Sequence, residues 1–148
     1  MNVNYQNLLI LAALGVGALF AMGTAIQQWR ERQYSFSDKA VLITGGSRGL
    51  GLVMARQLVE QGARVAICAR DAAELERARA DLQQRGGEVL AVPCDVTDEF
   101  EVQQMIKIVR DRFGSIDVLI NNAGTIQVAP MELMTLDDYE EAIKTHFW

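Results

Sequence analysis

Residues 41–51, VLITGGSRGLG, carry the strongest indication of the fold of this chain. Its apolar start is rich in β-branched residues and predicts a short buried strand. A glycine-rich turn follows and leads into LGLVMARQLVEQG, where apolar residues recur at helical spacing until Gly62 ends the helix. The sequence therefore predicts a strand, a glycine turn and a helix in immediate succession. The apolar residues at helical spacing are Leu50, Val53, Met54 and Leu58.

The glycine turn has the properties of a phosphate-binding loop. A strand-to-helix turn directs free backbone N–H groups and the positive end of the helix at one point, which suits a dinucleotide pyrophosphate. Gly45 is expected to form the tight turn, Gly49 to let the backbone approach the phosphates, and Gly51 to let the helix pack on the sheet. The alternative is a structural turn that binds nothing. The predicted cofactor-binding residues of the loop are Thr44, Gly45, Ser47, Arg48, Gly49, Leu50 and Gly51.

The alternation of strand and helix continues along the chain. The predicted strands are residues 39–44, 63–69, 88–96 and 116–122, and the predicted helices are residues 50–62, 71–85, 102–113 and a segment capped by Thr135. Such alternation indicates parallel βαβ units, and strands that are apolar on successive residues indicate a sheet covered on both faces. The predicted fold class is α/β, a Rossmann-type parallel sheet with flanking helices, built from four βα units and incomplete. On the second helix, the residues predicted to share one face are Leu75, Ala78 and Leu82.

The start of the chain differs from the rest, because residues 1–28 carry no charged side chain. Residues 8–26 are apolar apart from Thr24, and a helix of that length spans about 28 Å, close to the hydrocarbon thickness of a bilayer. The sequence therefore predicts a single N-terminal transmembrane helix in contact with membrane lipid. The alternatives are a cleaved secretory signal and a buried soluble helix.

The residues that follow the apolar segment indicate its orientation. Arg30 and Arg32 are the first basic residues, and the positive-inside rule places the side that carries them in the cytoplasm. Trp29 suits the membrane interface. The predicted localisation is therefore membrane-anchored, with the folded domain on the cytoplasmic side. The predicted domains are an anchor at residues 1–28, a linker at 29–38 and a nucleotide-binding domain at 39–148.

The composition excludes two other classes of protein. The formal net charge of −5 and the isoelectric point near 4.9 argue against a nucleic-acid surface, which needs clustered Lys and Arg. Cys68 and Cys94 do not make a disulfide framework and are expected to be buried, reduced thiols near strand ends. No metal site is predicted.

Two further motifs follow the third and fourth predicted strands. They are CDVTD, residues 94–98, and NNAG, residues 121–124. With the spacing Thr-Gly-x-x-x-Gly-x-Gly at residues 44–51, they resemble the signature of the classical short-chain dehydrogenase/reductase family. The resemblance covers about residues 36–148 and leaves the apolar N-terminal segment outside.

The resemblance implies a role for both motifs in binding a nicotinamide dinucleotide. Asp95 looks like the carboxylate that accepts from the adenine amino group, with Val96 beside the ring. The alternative for Asp95 is a helix-capping acid before Thr97. The segment after the fourth strand would line the cofactor ribose and steady the sheet, and its residues in that role are Asn121, Ala123 and Gly124.

The charges near the second strand bear on the choice of cofactor. An NAD enzyme usually places an acid at the end of this strand to accept from the ribose 2′-hydroxyl, and here the position is Ala69, followed by Arg70. Arg70 and Arg48 of the glycine loop are expected to form a 2′-phosphate site with no acid between them. Asp71 is expected to cap the next helix, although it could weaken the field. NADP(H) is therefore favoured over NAD(H).

The catalytic residues that the resemblance implies are expected beyond Trp148. They are a Ser and a Tyr in a Tyr-x-x-x-Lys helix, where the Lys lowers the pKa of the Tyr. Tyr139 does not fit, because Ile143 stands four residues later, and we expect it to pack with Leu136, Ile143 and Phe147. Because KTHFW falls in the middle of an amphipathic helix, a longer parent protein is expected.

His146 stands about where the family commonly carries an Asn that binds a water of the proton relay. An imidazole could hold the same water and could also titrate, so His146 is the candidate catalytic residue of this chain. The alternative is a packing or surface histidine.

The sequence thus predicts the N-terminal part of an NADP(H)-dependent dehydrogenase/reductase that transfers hydride between the nicotinamide and a small-molecule carbonyl or alcohol. A membrane anchor would place the site near a bilayer and favours a lipophilic substrate. The full-length protein is expected to be a homo-oligomer. The alternative is a non-catalytic, membrane-anchored dinucleotide-binding module. An epimerase or dehydratase of the extended relatives is a weaker rival, since their loop usually reads Thr-Gly-x-x-Gly-x-x-Gly.

Overall fold

The computed structural model describes Met22, Thr24 and residues 34–147. Contacts divide the chain into two units after Ser35, and every element named below lies in the second unit, Phe36–Trp148. The predicted alternation of strands and helices is confirmed. The strands are β1 (Ala40–Thr44), β2 (Arg64–Ala69), β3 (Val89–Pro93) and β4 (Val118–Ile120). The helices are α1 (Gly49–Glu60), α2 (Ala72–Gln84), α3 (Glu99–Phe113) and α4 (Leu136–His146), with a 3-10 helix at Met131–Leu133.

The four strands form one parallel sheet in the order β3-β2-β1-β4. Val41 of β1 pairs with Val65 of β2 on one side and with Val118 of β4 on the other. The chain therefore runs outward from β1 through β2 to β3 and then crosses to the opposite side of β1. This reversal creates a topological switch point at the carboxyl ends of β1 and β4, where open α/β sheets bind their ligands.

The centre of the sheet is buried on both faces, as the apolar strands predict. Successive residues of β1 point to opposite faces. Val41 and Ile43 pack with α1 and α2, whereas Ala40 and Leu42 pack with α3. The predicted buried face of α2 is confirmed, and its residues are Leu75, Ala78 and Leu82.

The apolar residues at helical spacing in α1 are only partly on its buried face. Leu50 and Val53 are 68% and 45% exposed. The helix turns its small residues inward instead, because Gly51 must lie directly against the loop that follows β1. That close approach fixes which side of the helix meets the sheet. The buried residues of α1 are Gly51, Ala55, Leu58 and Val59.

The last helix, α4, begins as predicted and buries none of its residues. Thr135 forms a capping box with Asp138: the Asp138 N–H donates to the Thr135 hydroxyl, and the Thr135 N–H donates to the Asp138 carboxylate at 2.7 Å. No residue of α4 is buried, so the packing expected around Tyr139 does not form part of the core. The side chains of that expected cluster, 45–80% exposed, are Leu136, Tyr139, Ile143 and Phe147.

The predicted membrane helix, residues 8–26, lies outside the described residues except for Met22 and Thr24. The predicted linker, residues 29–38, is described from Tyr34 onward. Within the part of the chain that the structure describes, no helix combines the length and apolar character needed to cross a bilayer.

Candidate functional site

A cleft of about 470 Å³ lies at the carboxyl ends of all four strands. Its walls come from the loop after β1, the residues beyond β2, the segment beyond β3 and the NNAG segment beyond β4. Segments far apart in the sequence therefore meet at the switch point of the sheet, as the motifs predict. The predicted site residues that line the cleft are Gly45, Ser47, Arg48, Leu50, Arg70, Asp95, Val96, Ala123 and Gly124.

The loop after β1 depends on close approaches of backbone. Gly45 adopts a φ of 66°, as the predicted tight turn requires. A Cβ on Gly51 would collide with the carbonyl oxygen of Gly45 and would lie 2.6 Å from the side-chain nitrogen of Asn122. Gly51 was predicted to let α1 pack on the sheet. Its close contacts are instead with the loop after β1 and with Asn122. Sequence reasoning misses Gly46, where a Cβ would lie 2.6 Å from the side chain of Ile67.

The amino end of α1 differs from those of the α-helices α2, α3 and α4. The N-cap side chains of Asp71, Asp98 and Thr135 accept hydrogen bonds from backbone N–H groups of α2, α3 and α4. The N-cap of α1 is Arg48, which makes no side-chain cap, and no heavy atom lies within 4 Å of a Cβ placed on Gly49. The first-turn amides of α1 therefore have no capping side chain and suit an anionic ligand.

Thr44 and Asn122 join the end of β1 to the segment after β4. The hydroxyl of Thr44, which is 8% exposed, accepts hydrogen bonds from the backbone N–H groups of Asn122 and Ala123, both at 3.0 Å. The side chain of Asn122 donates to the carbonyl oxygens of Thr44 and Gly45, both at 3.1 Å. The structure thus places Asn122 where the resemblance assigned Asn121 to steady the sheet. Asn121 lines an adjoining, mainly apolar cavity of about 420 Å³ beside β4.

The predicted 2′-phosphate site contains an acid that the sequence does not reveal. Arg48 and Arg70 both line the cleft, but Glu74 lines it with them. The hydroxyl of Ser47 donates to one carboxylate oxygen of Glu74 at 3.4 Å, and the other oxygen lies 3.7 Å from Nη1 of Arg48. The expectation that no acid stands between the two arginines is therefore wrong. Asp71 caps α2, as predicted, by accepting from two backbone N–H groups.

Asp95 lies in the cleft as an ionised acceptor. Its Oδ1 accepts from the backbone N–H of Thr97 at 2.9 Å and from the Thr97 hydroxyl at 2.8 Å. These bonds lower the pKa of Asp95 against the effect of partial burial, and the charge of Arg70 acts in the same direction. Asp95 therefore shapes the turn before α3, but the N-cap of that helix is Asp98.

Two neutral thiols form part of the cleft wall. Cys68 and Cys94 are buried and free, as predicted. Burial raises the pKa of Cys68 to about 12, and burial together with neighbouring acids raises the pKa of Cys94 as well. Both groups are therefore protonated at neutral pH and add no charge to the cleft.

His146 contacts the NNAG loop rather than the main cleft. Its Nε2 lies 2.9 Å from the carbonyl oxygen of Thr125 and 3.3 Å from the Thr125 backbone nitrogen. The ring also lies against Gly124, where a Cβ would stand 2.6 Å from Cε1. His146 therefore holds the loop that carries Ala123 and Gly124, and it lines the apolar cavity that Asn121 also lines.

The fold and these motifs match known proteins. The family model for short chain dehydrogenases matches residues 39–148. Sorbitol dehydrogenase from Cereibacter sphaeroides is 40% identical over 102 residues, which cover 69% of this chain and 39% of that enzyme.

Two solved structures with bound cofactor are also similar. One is 3-ketoacyl-(acyl-carrier-protein) reductase from Brucella melitensis complexed with NADH, with a TM-score of 0.69 and 32% identity over 75% of this chain and 45% of that one. The other is a variant of actinorhodin polyketide ketoreductase with NADPH, with a TM-score of 0.70 and 32% identity over 72% of this chain and 41% of that one. The bound cofactors differ, so the likeness alone does not choose between NADH and NADPH.

The chain spans about two fifths of the length of the curated relatives that it matches. The matched region contains the glycine loop, the four-stranded parallel sheet and the cleft at the switch point. This chain belongs to the short chain dehydrogenase family.

Proposed function

We propose that the complete protein is an NADP(H)-dependent oxidoreductase that interconverts a carbonyl and an alcohol. The observation that carries the proposal is the uncapped amino end of α1, which opens into a cleft holding Arg48 and Arg70. Free amide donors together with guanidinium groups suit the phosphates of a dinucleotide. The alternative, a non-catalytic binding module, is less favoured because the named relatives of the family are dehydrogenases and reductases.

The pyrophosphate, the adenine and the 2′-phosphate of the cofactor would each bind different residues of the cleft. The first-turn amides of α1 would bind the pyrophosphate, and Gly49, whose Cβ position meets no neighbouring residue within 4 Å, would leave room for it. The ionised carboxylate of Asp95 would accept from the adenine amino group, and Arg48 and Arg70 would bind the 2′-phosphate. When bound, the nicotinamide supplies or accepts the hydride.

Replacing both Arg48 and Arg70 with alanine is expected to weaken NADPH binding by about tenfold or more and NADH binding by less than threefold. Two guanidinium groups would interact with the dianionic 2′-phosphate that NADH lacks, and hydrogen bonds between charged groups are stronger than neutral ones. The measurement is the dissociation constant of each dinucleotide for the complete protein, by calorimetry at fixed salt.

The matched control for this pair is Arg79→Ala with Arg112→Ala. It removes two positive charges as well, but these arginines pair with Glu76 and Glu88 outside the cleft. The control is expected to leave both dissociation constants within twofold. Equal losses of NADPH and NADH in the Arg48 and Arg70 variant would refute the phosphate site.

The proposal also includes the location of the enzyme, its substrate class and its oligomeric state. Residues 8–26 would anchor it to a membrane with the folded domain on the cytoplasmic side, because the apolar segment is long enough to span and basic residues follow it. A lipophilic carbonyl or alcohol would then be the substrate class, and the complete protein would be a homo-oligomer.

Deleting residues 1–28 is expected to move the protein from the membrane fraction to the soluble fraction of lysed cells. The undeleted protein should resist extraction by alkaline carbonate, because a spanning apolar helix stays in the bilayer. Mass spectrometry of the undeleted protein should show that residues 1–28 are retained. Their loss would support the cleaved signal instead, and carbonate extraction of the intact protein would exclude the anchor.

A further inference from the structure

Glu74 occupies the part of the cleft where the proposed 2′-phosphate would bind. It lies in the first turn of α2, and its side chain is 29% exposed, compared with 82% for that of Arg48. The hydroxyl of Ser47 donates to one carboxylate oxygen of Glu74 at 3.4 Å, and Nη1 of Arg48 forms an ion pair with the other oxygen at 3.7 Å. Glu74 therefore takes two donors that an incoming phosphate would also use.

The neighbouring acids do not have the same position. Asp71 also lines the cleft, but its Oδ1 accepts from the N–H groups of Ala73 and Glu74 at 2.9 Å and serves as the cap of α2. Asp81 lies one to two turns further along the helix, where it pairs with Arg56 at 2.7 Å. Glu74 is the acid that contacts the glycine loop itself.

The contact between Glu74 and the glycine loop affects the binding of NADPH but not that of NADH. A 2′-phosphate must displace the Glu74 carboxylate from Ser47 and Arg48 and then remain beside it, and two negative groups at short range repel each other. NADH carries a neutral ribose hydroxyl and meets neither cost. The carboxylate thus opposes the selectivity that the two arginines create.

We propose that Glu74 is a specificity-determining residue that limits the preference for NADP(H) by competing with the 2′-phosphate for Ser47 and Arg48. This inference rests on the proposed function of the cleft. With Glu74 present, the preference of the site for NADP(H) over NAD(H) would be smaller than the preference that Arg48 and Arg70 alone would give.

The test is Glu74→Gln in the complete protein, with the dissociation constants of NADPH and NADH measured by calorimetry. The substitution removes the charge and keeps the size of the side chain. NADPH is expected to bind about fivefold more tightly, as for the loss of one partly screened charge, while NADH changes by less than twofold. The control is Glu76→Gln on the same helix, because Glu76 pairs with Arg79 and does not line the cleft. This control should leave both constants unchanged.

A second background shows whether Glu74 acts through Arg48. In Arg48→Ala protein, the gain in NADPH affinity from Glu74→Gln is expected to be smaller than in the unsubstituted background, because the competition for that guanidinium has gone while the contact with Ser47 and the repulsion of the phosphate remain. Equal changes for both dinucleotides, or weaker NADPH binding in Glu74→Gln, would overturn the inference while leaving the cleft as a cofactor site. Failure of the unsubstituted protein to bind either dinucleotide would overturn the proposed function as well.

Discussion

Replacing Gly51 with alanine is expected to lower the free energy of unfolding by about 3 kcal/mol and to abolish dinucleotide binding. The new Cβ would collide with the carbonyl oxygen of Gly45 and stand 2.6 Å from the side-chain nitrogen of Asn122. Neither neighbour can withdraw easily, since one is backbone in a tight turn and the other is hydrogen-bonded to that turn at 3.1 Å. The helix must therefore move away from the loop, and the amides of its first turn lose their position.

Denaturant unfolding and NADPH titration of the complete protein measure both effects, and Gly114→Ala is the control. Gly114 ends α3 with a φ of 83° and has no heavy atom within 4 Å of its Cβ position. Alanine there should cost only the strain of a backbone at φ 83° and ψ −38°, about 1–3 kcal/mol, and should leave cofactor affinity unchanged. Gly51→Ala protein that unfolds and binds like the unsubstituted protein would show that the contact with Gly45 is dispensable.

Much of the fold could be predicted because its signals are local. The buried face of α2 follows from Leu75, Ala78 and Leu82, which a single helical period brings together without reference to the rest of the molecule. The cleft follows from topology, since parallel strands that share a sheet bring their carboxyl ends to one edge. Motifs placed at four strand ends must then meet there, whatever the helices between them do.

The face of α1 could not be predicted from periodicity alone. Leu50 and Val53 recur at helical spacing just as Leu58 does, yet they are exposed. The helix offers two overlapping candidate faces, and the contact of Gly51 with the loop selects the one with small residues. Hydrophobicity scales favour the larger side chains, so a steric requirement of this kind does not register in the pattern.

The role of Asn122 in joining β1 to the segment after β4 could have been predicted from the sequence. Successive residues of an extended segment point to opposite faces. Val118 and Ile120 face the core that α1 and α2 cover, and the side chain of Asn122 continues this alternation and donates to the carbonyl oxygens of Thr44 and Gly45. Asn121 continues the alternation of Leu119 and lines the other cavity with it. The alternation of side chains beyond the end of β4 therefore distinguishes Asn121 from Asn122, although both are asparagines.

The contact of Glu74 with the glycine loop could not be predicted from the sequence. It follows the glycine loop by more than twenty residues, and whether it reaches Ser47 depends on how α2 lies across the sheet relative to α1. A helix N-terminus often carries an acid for reasons of its own, because negative charge is favourable there. Glu74 therefore looks like an ordinary first-turn residue until the structure brings it to Arg48.

Replacing Thr44 with valine is expected to lower the free energy of unfolding by about 3 kcal/mol. Valine keeps the shape of the buried side chain but removes the oxygen that accepts from the N–H groups of Asn122 and Ala123. Each partly buried amide left without a partner costs about 1–3 kcal/mol, and partial access to water keeps the sum below the maximum. The measurement is denaturant unfolding of the complete protein, with NADPH binding measured in parallel.

Thr44→Ser distinguishes the lost hydrogen bonds from any change of packing. Serine keeps the hydroxyl and loses one methyl group, so it should cost about 1 kcal/mol and leave NADPH affinity within twofold. Valine should weaken NADPH binding much more, because the segment that carries Ala123 and Gly124 into the cleft would lose two of its bonds to β1. If serine proved as destabilising as valine, the methyl group and not the hydroxyl would be what joins β1 to this segment, and the site would depend on packing rather than on directed hydrogen bonds.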